Sequence, residues 1–397
     1  MEHKNKAVVL GANYYIGLSV IRCLGSEGVK VAAVDYSKKG TYGFYSKYCS
    51  EILIGPHYKE QPKEFLEFLI DYAKKQEHPP VLFPCADPYV EFVDEHLDVL
   101  RQYFLIHKIE QGLYTKLMNK GTLRDLALEH GVRVPETISV DEENFIQKVE
   151  EQIKYPCLVK PVDSHTFVAK FRRKLFKVYN REELLSCVQM AKDAKTEVII
   201  QRIIKGFDDC MHTFDAYLNQ DSKVTHWVTC QKMRQYPINY GASVYTKQKY
   251  VPELYDIGAK FLEGVKFKGF AEIEFKKDEE TGNFYLIEVN VRTTNLNNLL
   301  YKVGINMPYI AYRDLTGNPL PPDAVTKDTE RAFWYAYEDI LAIKEYIRTK
   351  QLTLSQVIRS FFRPKAYAIW DISDPKPFFV FLNSKISRIF DKIFKRG

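Results

Sequence analysis

The sequence predicts a mixed α/β protein that opens with a parallel α/β domain. Three observations carry this. Apolar strand-like runs alternate with helical patterns over the first hundred residues. A glycine turn, Gly11-Ala-Asn-Tyr-Tyr-Ile-Gly17, joins the first strand to the first helix. Much later, Gly269-Phe-Ala-Glu-Ile-Glu-Phe and Gly282-Asn-Phe-Tyr-Leu-Ile-Glu-Val-Asn-Val-Arg292 read as two strands joined by a polar turn.

The elements follow in order. Lys6–Leu10 is a buried strand, 17–27 a helix, and Lys30–Asp35 a second strand. This is a βαβ start with an acidic residue ending its second strand, a Rossmann-like unit. Asn13 stands where a dinucleotide fingerprint has its second glycine, so the unit reads as structural. Helix 60–76, strand 80–84, helix 88–102 and a short strand near Phe104 complete a first domain over 1–112. A helix at 115–130 ends in Gly131-Val-Arg-Val-Pro135, a cap glycine followed by a proline stop. Strand 137–139, helix 141–153 and the run Tyr155–Pro161 follow. Residues 163–179 are basic and read as a hairpin. Helix 181–192, the run Glu197–Gly206, strand-like runs to about 250, helix 253–265, the opening hairpin and helix 295–315 complete a region over 113–320. Its two lobes divide at about 197/198. Pro319–Pro322 reads as a linker, and 321–397 as a helical extension with helices at 338–349, 353–361 and from about 378.

Composition bounds the function. A chain of 397 residues supports two or three domains, and 46% hydrophobic with 27% charged residues is ordinary for a soluble globular protein. No run approaches the roughly 20 apolar residues of a membrane span, and the polar start leads straight into a strand, so no cleaved leader is expected. The seven cysteines are scattered, odd in number and never in a CxxC pair. Reduced thiols, a cytoplasmic location and no zinc site are expected. Residues 359–397 hold nine Lys/Arg and three Asp/Glu, and the rest of the chain holds 48 of each sign. The net charge of +6 therefore belongs to the tail, and a nucleic-acid partner is not expected. The last helix sets Leu382, Ile386, Ile389, Phe390 and Ile393 against Lys385, Arg388, Lys392 and Lys395, a pattern that fits an anionic membrane surface or packing on the body.

Alternation puts Glu272 and Glu274 on one face of the first hairpin strand, and Glu288, Asn290 and Arg292 on one face of the second. Buried acids need partners. Carboxylates with an amide oxygen suit Mg²⁺ and substrate phosphates, and an arginine suits an anion. A solvated edge hairpin is the other reading of the same residues.

Four motifs in order resemble the ATP-grasp superfamily: Asn119-Lys120 before Gly131–Pro135; Tyr155-Pro-Cys-Leu-Val-Lys160-Pro161; Val198-Ile-Ile-Gln-Arg-Ile-Ile-Lys-Gly206; and the hairpin. The resemblance covers residues 1–320. It implies a Rossmann-like domain, a two-lobed ATP-grasp domain, and Mg²⁺ or Mn²⁺ with ATP. Lys120 and Lys160 would contact the phosphates. Gln201, Arg202 and Ile204 would lie along the adenine, and Asp208 or Asp209 would hold the ribose. Glu274, Glu288 and Asn290 would hold the metal, and Arg292 would face an acyl phosphate. The phosphate-covering loop, Val162-Asp-Ser-His165 onward, lacks the family's glycines and carries Lys170, Arg172 and Arg173 instead. The hinge has Gln201-Arg202 where an acid is common.

The Lys-Pro-x-Asp-Ser form of that loop, Asp208-Asp209 and Phe214-Asp-Ala-Tyr217 are similar to the D-aspartate ligase group of carboxylate–amine ligases. This implies small carboxylate and amine substrates joined with release of ADP and phosphate; the basic tail on a neutral body suggests a membrane-linked acceptor such as a cell-wall or surface-polysaccharide precursor. Lys232, Arg234 and Asp87 are candidate substrate contacts, against solvent-facing strand positions for the first two and a helix cap for Asp87. An ATP-dependent carboxylase of the same superfamily and a non-catalytic nucleotide-binding module are the alternatives. No GxSxG elbow is present, which disfavours a serine hydrolase. The oligomeric state is open, a homodimer included.

Overall fold

The computed structural model describes residues 3–162, 167 and 170–394, with side chains to residue 387. The first sheet contains β1 (Ala7–Leu10), β2 (Val31–Asp35), β3 (Cys49–Ile54) and β4 (Val81–Pro84). All its pairs are parallel, in the order β3-β2-β1-β4. Helix Tyr15–Gly25 packs tightly on the glycine turn, because a Cβ on Gly17 would lie 2.2 Å from the Gly11 carbonyl oxygen. β3 is not among the expected strands. It is an edge strand with Glu51 at its middle, paired to Lys6 at 3.0 Å, so its charge hides the strand pattern. The expected strand near Phe104 reduces to one bridge between Val81 and Leu105.

The second sheet is β5 (Thr137–Ser139), β6 (Cys157–Pro161), β7 (Phe176–Val178) and β8 (Val198–Arg202), antiparallel in the order β5-β8-β6-β7. It has its own core, which includes Val159, Phe167, Leu184 and Ile200. The third sheet begins with β9 (Met211–Leu218), β10 (Val224–Tyr236), β11 (Ala242–Gln248), β12 (Gly269–Lys277) and β13 (Phe284–Asn290), in the order β13-β12-β9-β10-β11.

Several expected helices are interrupted. The helix at 115–130 breaks at Asn119, which is extended and whose side chain accepts from Gly121 N and Thr122 N to cap helix Lys120–Glu129. The helix at 295–315 breaks into Asn297–Lys302 and Met307–Leu315 around Gly304, at φ +108°. The helix at 88–102 breaks at His96, and 141–153 keeps only Phe145–Lys148 before a π-turn.

The extension is not a detached tail. β14 (Asp323–Ala324) pairs with β10, β15 (Ala332–Trp334) with β11, and β16 (Lys365–Tyr367) with β15, so the third sheet runs across the expected boundary at 320/321. Helices Ala336–Arg348 and Leu354–Phe361 follow the expected positions closely. The last helix, Lys376–Phe394, buries Phe381 against Tyr42 and Tyr335 and leaves Phe379, Leu382 and Ile386 exposed. Ile389, Phe390, Ile393 and the basic residues beyond Lys385 lie outside the described side chains, as does His165. Among the described residues no helix is long and apolar enough to cross a membrane.

Candidate active site

A cavity of about 400 Å³ lies where the second sheet, the third sheet and the first domain meet. Strand alternation builds its floor. On β12, Ala271, Ile273 and Phe275 point into the core, and Glu272, Glu274 and Lys276 line the cavity. On β13 a register shift sets Glu274 opposite Glu288 and Phe275 opposite Leu286. Ile287 is therefore an extra residue, and the bulge turns both Ile287 and Glu288 to the cavity. Asn290 lies opposite Glu272 and donates to it through Nδ2 at 2.9 Å. Arg292 Nη2 donates to Asn290 Oδ1 at 3.2 Å, and Arg292 Nε pairs with Asp87 at 2.5 Å.

The opposite wall carries the lysines. Lys160, on β6, donates to Gln201 Oε1 at 2.9 Å, and Gln201 Nε2 donates to Thr137 at 3.1 Å. Gln201 thus orients the ammonium group that its strand register places nearby. Lys120, the first residue of its helix, reaches the Pro161 carbonyl oxygen at 3.5 Å. Burial, with Lys120 beside it, lowers the Lys160 ammonium to about 8.

The sequence-predicted residues divide into two sets. Lys120, Lys160, Gln201, Arg202, Ile204, Glu274, Glu288, Asn290, Arg292 and Asp87 all line the one cavity. Arg202 is held at its rim by Glu136 and by Asp278 at 3.5 Å, over the Tyr285 ring. Asp208, Asp209, Lys232 and Arg234 do not line it. Asp208 is buried behind the wall, accepting from Gln235 Nε2 at 2.7 Å, from Asn239 N at 2.9 Å and from the Tyr346 hydroxyl. It fixes the Asn239–Gly241 loop, which does line the cavity. Asp209 faces outward beside Cys210 and Glu279. Lys232 is buried below the floor, 2.5 Å from Glu274 Oε1. Arg234 is buried in a two-point pair with Asp339, at 2.6 and 2.7 Å, so its substrate role gives way to a structural one. Lys170, Arg172 and Arg173 are exposed and away from the cavity; Lys174 of the same segment reaches it. In the first domain, Asp35 accepts from Asn13 N and Tyr36 N, both at 2.9 Å, and so braces its own turn.

Glu272, Lys276, Tyr14, Tyr15 and Asn295 also line the cavity and were not among the expected contacts. The first two were visible in the alternation of β12; the tyrosines carried no signal beyond following the glycine turn. Glu272 and Asp215 are both buried, and burial raises both carboxyls, Glu272 well above the ordinary range with Asp215 and Glu274 adding to the shift. Glu272 Oε2 is buried without a hydrogen-bond partner among the described residues. Two facing carboxylates, an amide oxygen and an orphaned carboxylate oxygen fit a hard divalent cation.

Comparison with known proteins places the chain among relatives of one kind. Residues 129–294 match the family described as D-ala D-ala ligase C-terminus. The chain is 27% identical over 288 residues to D-aspartate ligase of Enterococcus faecium, covering 69% of this chain and 68% of that protein. It is 23% identical over 325 residues to D-alanine–D-alanine ligase of a Thermoanaerobacter species, covering 73% and 88%. Among solved structures it is similar to N5-carboxyaminoimidazole synthetase from Staphylococcus aureus in complex with ADP, with a TM-score of 0.62, 15% identity and coverage of 82% and 80%.

Proposed function

From an ATP-grasp domain of the D-Ala–D-Ala ligase type at the centre of this chain, we propose an ATP-dependent, ADP-forming carboxylate–amine ligase. The observation that supports this most is the opposition across one cavity of Lys120 and Lys160 to Glu274, Glu288 and Asn290. A triphosphate needs cations on one side and a metal site on the other, and the protein's task in phosphoryl transfer is chiefly positioning and charge stabilisation.

In this reading Lys120 and Lys160 hold the phosphates, and Gln201 aims Lys160. The hinge around Arg202 and Ile204 lies along the base. Glu274, Glu288 and Asn290 hold Mg²⁺, which when bound neutralises charge on the phosphates. The substrate carboxylate oxygen attacks the γ-phosphorus and ADP leaves. Arg292, clamped between Asp87 and Asn290, faces the acyl phosphate. The amine nitrogen then attacks the activated carbonyl, loses a proton, and phosphate departs. No protein nucleophile is required. Similarity to D-aspartate ligase favours an amino acid as a substrate, and the basic tail favours a membrane-linked amine acceptor such as a cell-wall or surface-polysaccharide precursor. The basic last helix fits an enzyme working beside an anionic membrane.

The test is ADP release by wild type and Glu288→Gln across an array of acids and amines. Acid- and amine-dependent ADP release, lost in the variant, is expected. Unchanged turnover in the variant would remove the metal assignment, and no ADP with any pair would remove the ligase reading.

A further inference from the structure

We propose that helices Ala336–Arg348 and Leu354–Phe361 together form a docking face for an anionic lipid bilayer. The last helix abuts one end of this face, with Phe381 and Lys385 against Tyr337, and the proposal does not depend on the ligase reading.

Both helices are fixed to the same support. Arg234, buried on β10, pairs through Nε and Nη2 with Asp339 of the first helix and donates through Nη1 to Ser360 of the second at 3.3 Å. Tyr245 of β11 donates to the Ser360 carbonyl at 3.0 Å, and Ala342, Tyr346 and Val357 are buried on the same inner side. One guanidinium therefore anchors both helices to the sheet, and Phe361 of the second also packs its ring on Trp334 of β15.

The exposed sides of both helices carry large apolar residues among basic ones. Ile340, Leu341 and Ile347 repeat along the first helix, and Leu354, Ile358 and Phe361 along the second. Exposure is high: 62% at Ile340, 64% at Leu354 and 84% at Phe362, just past the second helix. A soluble surface rarely gathers so many large apolar side chains without a partner.

The charges select the partner. Between residues 336 and 363 the exposed charged side chains are Lys344, Arg348, Lys350 and Arg359, all basic. The carboxylates there, Glu338, Asp339 and Glu345, are buried or half-buried. Glu330, exposed beside this segment, is paired with Arg363, so the unpaired charge at the face is predominantly positive, and apolar side chains among such cations match an anionic headgroup layer over acyl chains. A second copy across a two-fold axis would set the same cations against each other, which opposes self-association through this face. With no membrane-spanning helix among the described residues, the contact is with the bilayer surface.

The experiment is co-sedimentation of the full chain with phosphatidylcholine vesicles, with and without phosphatidylglycerol, at low and high salt. Binding to the phosphatidylglycerol vesicles that weakens with salt is expected. Ile340→Asp with Phe362→Asp, and separately Arg348→Glu with Arg359→Glu, should each lower the bound fraction by roughly tenfold or more. Both should keep the wild-type melting temperature, since all four side chains are exposed. Leu382→Asp with Ile386→Asp, on the last helix, should retain most of the binding. Equal binding to both vesicle types, binding to neither, or loss only in the last-helix variant would overturn the proposal. So would sedimentation-velocity data showing that Ile340→Asp with Phe362→Asp abolishes a dimer, which would assign the face to a second copy.

Discussion

Lys232 on β10 and Glu274 on β12 meet at 2.5 Å across the intervening strand β9. The lysine is 1% exposed, and Glu272 and Asp215 are buried in the same layer. Desolvation alone would lower Lys232, yet Glu274 and then Glu272 outweigh it and raise the ammonium above its ordinary value. The cavity floor thus rests on a buried cation that offsets several carboxylates.

Removing that cation should be costly. Lys232→Met leaves the carboxylates unpaired, and breaking a buried pair in this way typically costs about 3–5 kcal/mol. Urea denaturation checks this. Adding Glu272→Gln to Lys232→Met should recover part of the loss, because one uncompensated carboxyl is then neutral. Strict additivity of the two substitutions would show that Lys232 and Glu272 are not coupled.

Lys160 gives a pH prediction. Its ammonium form pairs with phosphate, and its value in the folded protein is lowered to about 8. Nucleotide affinity should be full below that pH and decline as the pH rises through it. For folding the direction is opposite. Above about 8 the unfolded chain still holds the proton, so this group's contribution to stability rises with pH up to its ordinary value near 10.4. Lys160→Arg keeps its charge and should flatten the alkaline decline. Nucleotide-displacement titrations from about pH 6.5 to 9.5 separate the two; an equal decline in the variant would assign it to another group.

Much of this site was legible because strand alternation and chain order carry it. Glu274, Glu288, Asn290 and Arg292 share faces by period two, and the two lysines precede them in order. What escaped was set by tertiary partners. Arg234 reads as a free strand cation until Asp339, 105 residues later, is folded against it. Asp208 reads as a ribose ligand until Tyr346 and Gln235 enclose it. Glu51 masked β3 because an edge strand tolerates a charge that sequence periodicity counts against it. The extension read as a tail because its strands are two or three residues long and pair only with distant partners.

Arg292→Lys tests the acyl-phosphate role. Lysine keeps the charge but cannot hold Asp87 and Asn290 at once as a planar fork does. Turnover should fall roughly a hundredfold, the scale of losing one oriented donor to a developing charge. Nucleotide affinity should change little, since Arg292 is held by Asp87 and Asn290 on the acceptor side of the proposed site. Steady-state kinetics with ATP varied at saturating acid and amine distinguishes these. A loss confined to nucleotide affinity would move Arg292 to the phosphate side.

Asp374 ties the extension to the first domain. Its carboxylate accepts from Arg22 Nε at 2.9 Å, Ser46 Oγ at 2.6 Å and Lys47 N at 2.9 Å, and its carbonyl accepts from Arg22 Nη2 at 2.7 Å. Arg22 also donates to the Ile369 carbonyl at 2.8 Å. Asp374→Ala leaves the guanidinium buried with one partner gone and should cost about 3–5 kcal/mol. Asp374→Asn keeps the shape and part of the hydrogen bonding, so it should cost less. The two helices bound by Arg234 have a separate anchor, so the damage should fall on residues 369–387. Hydrogen exchange reads this directly. Faster exchange there, with protection retained in β1, β2 and β10, makes the pair a local latch. Uniform loss of protection would mean that the extension folds as one unit with the domains it joins.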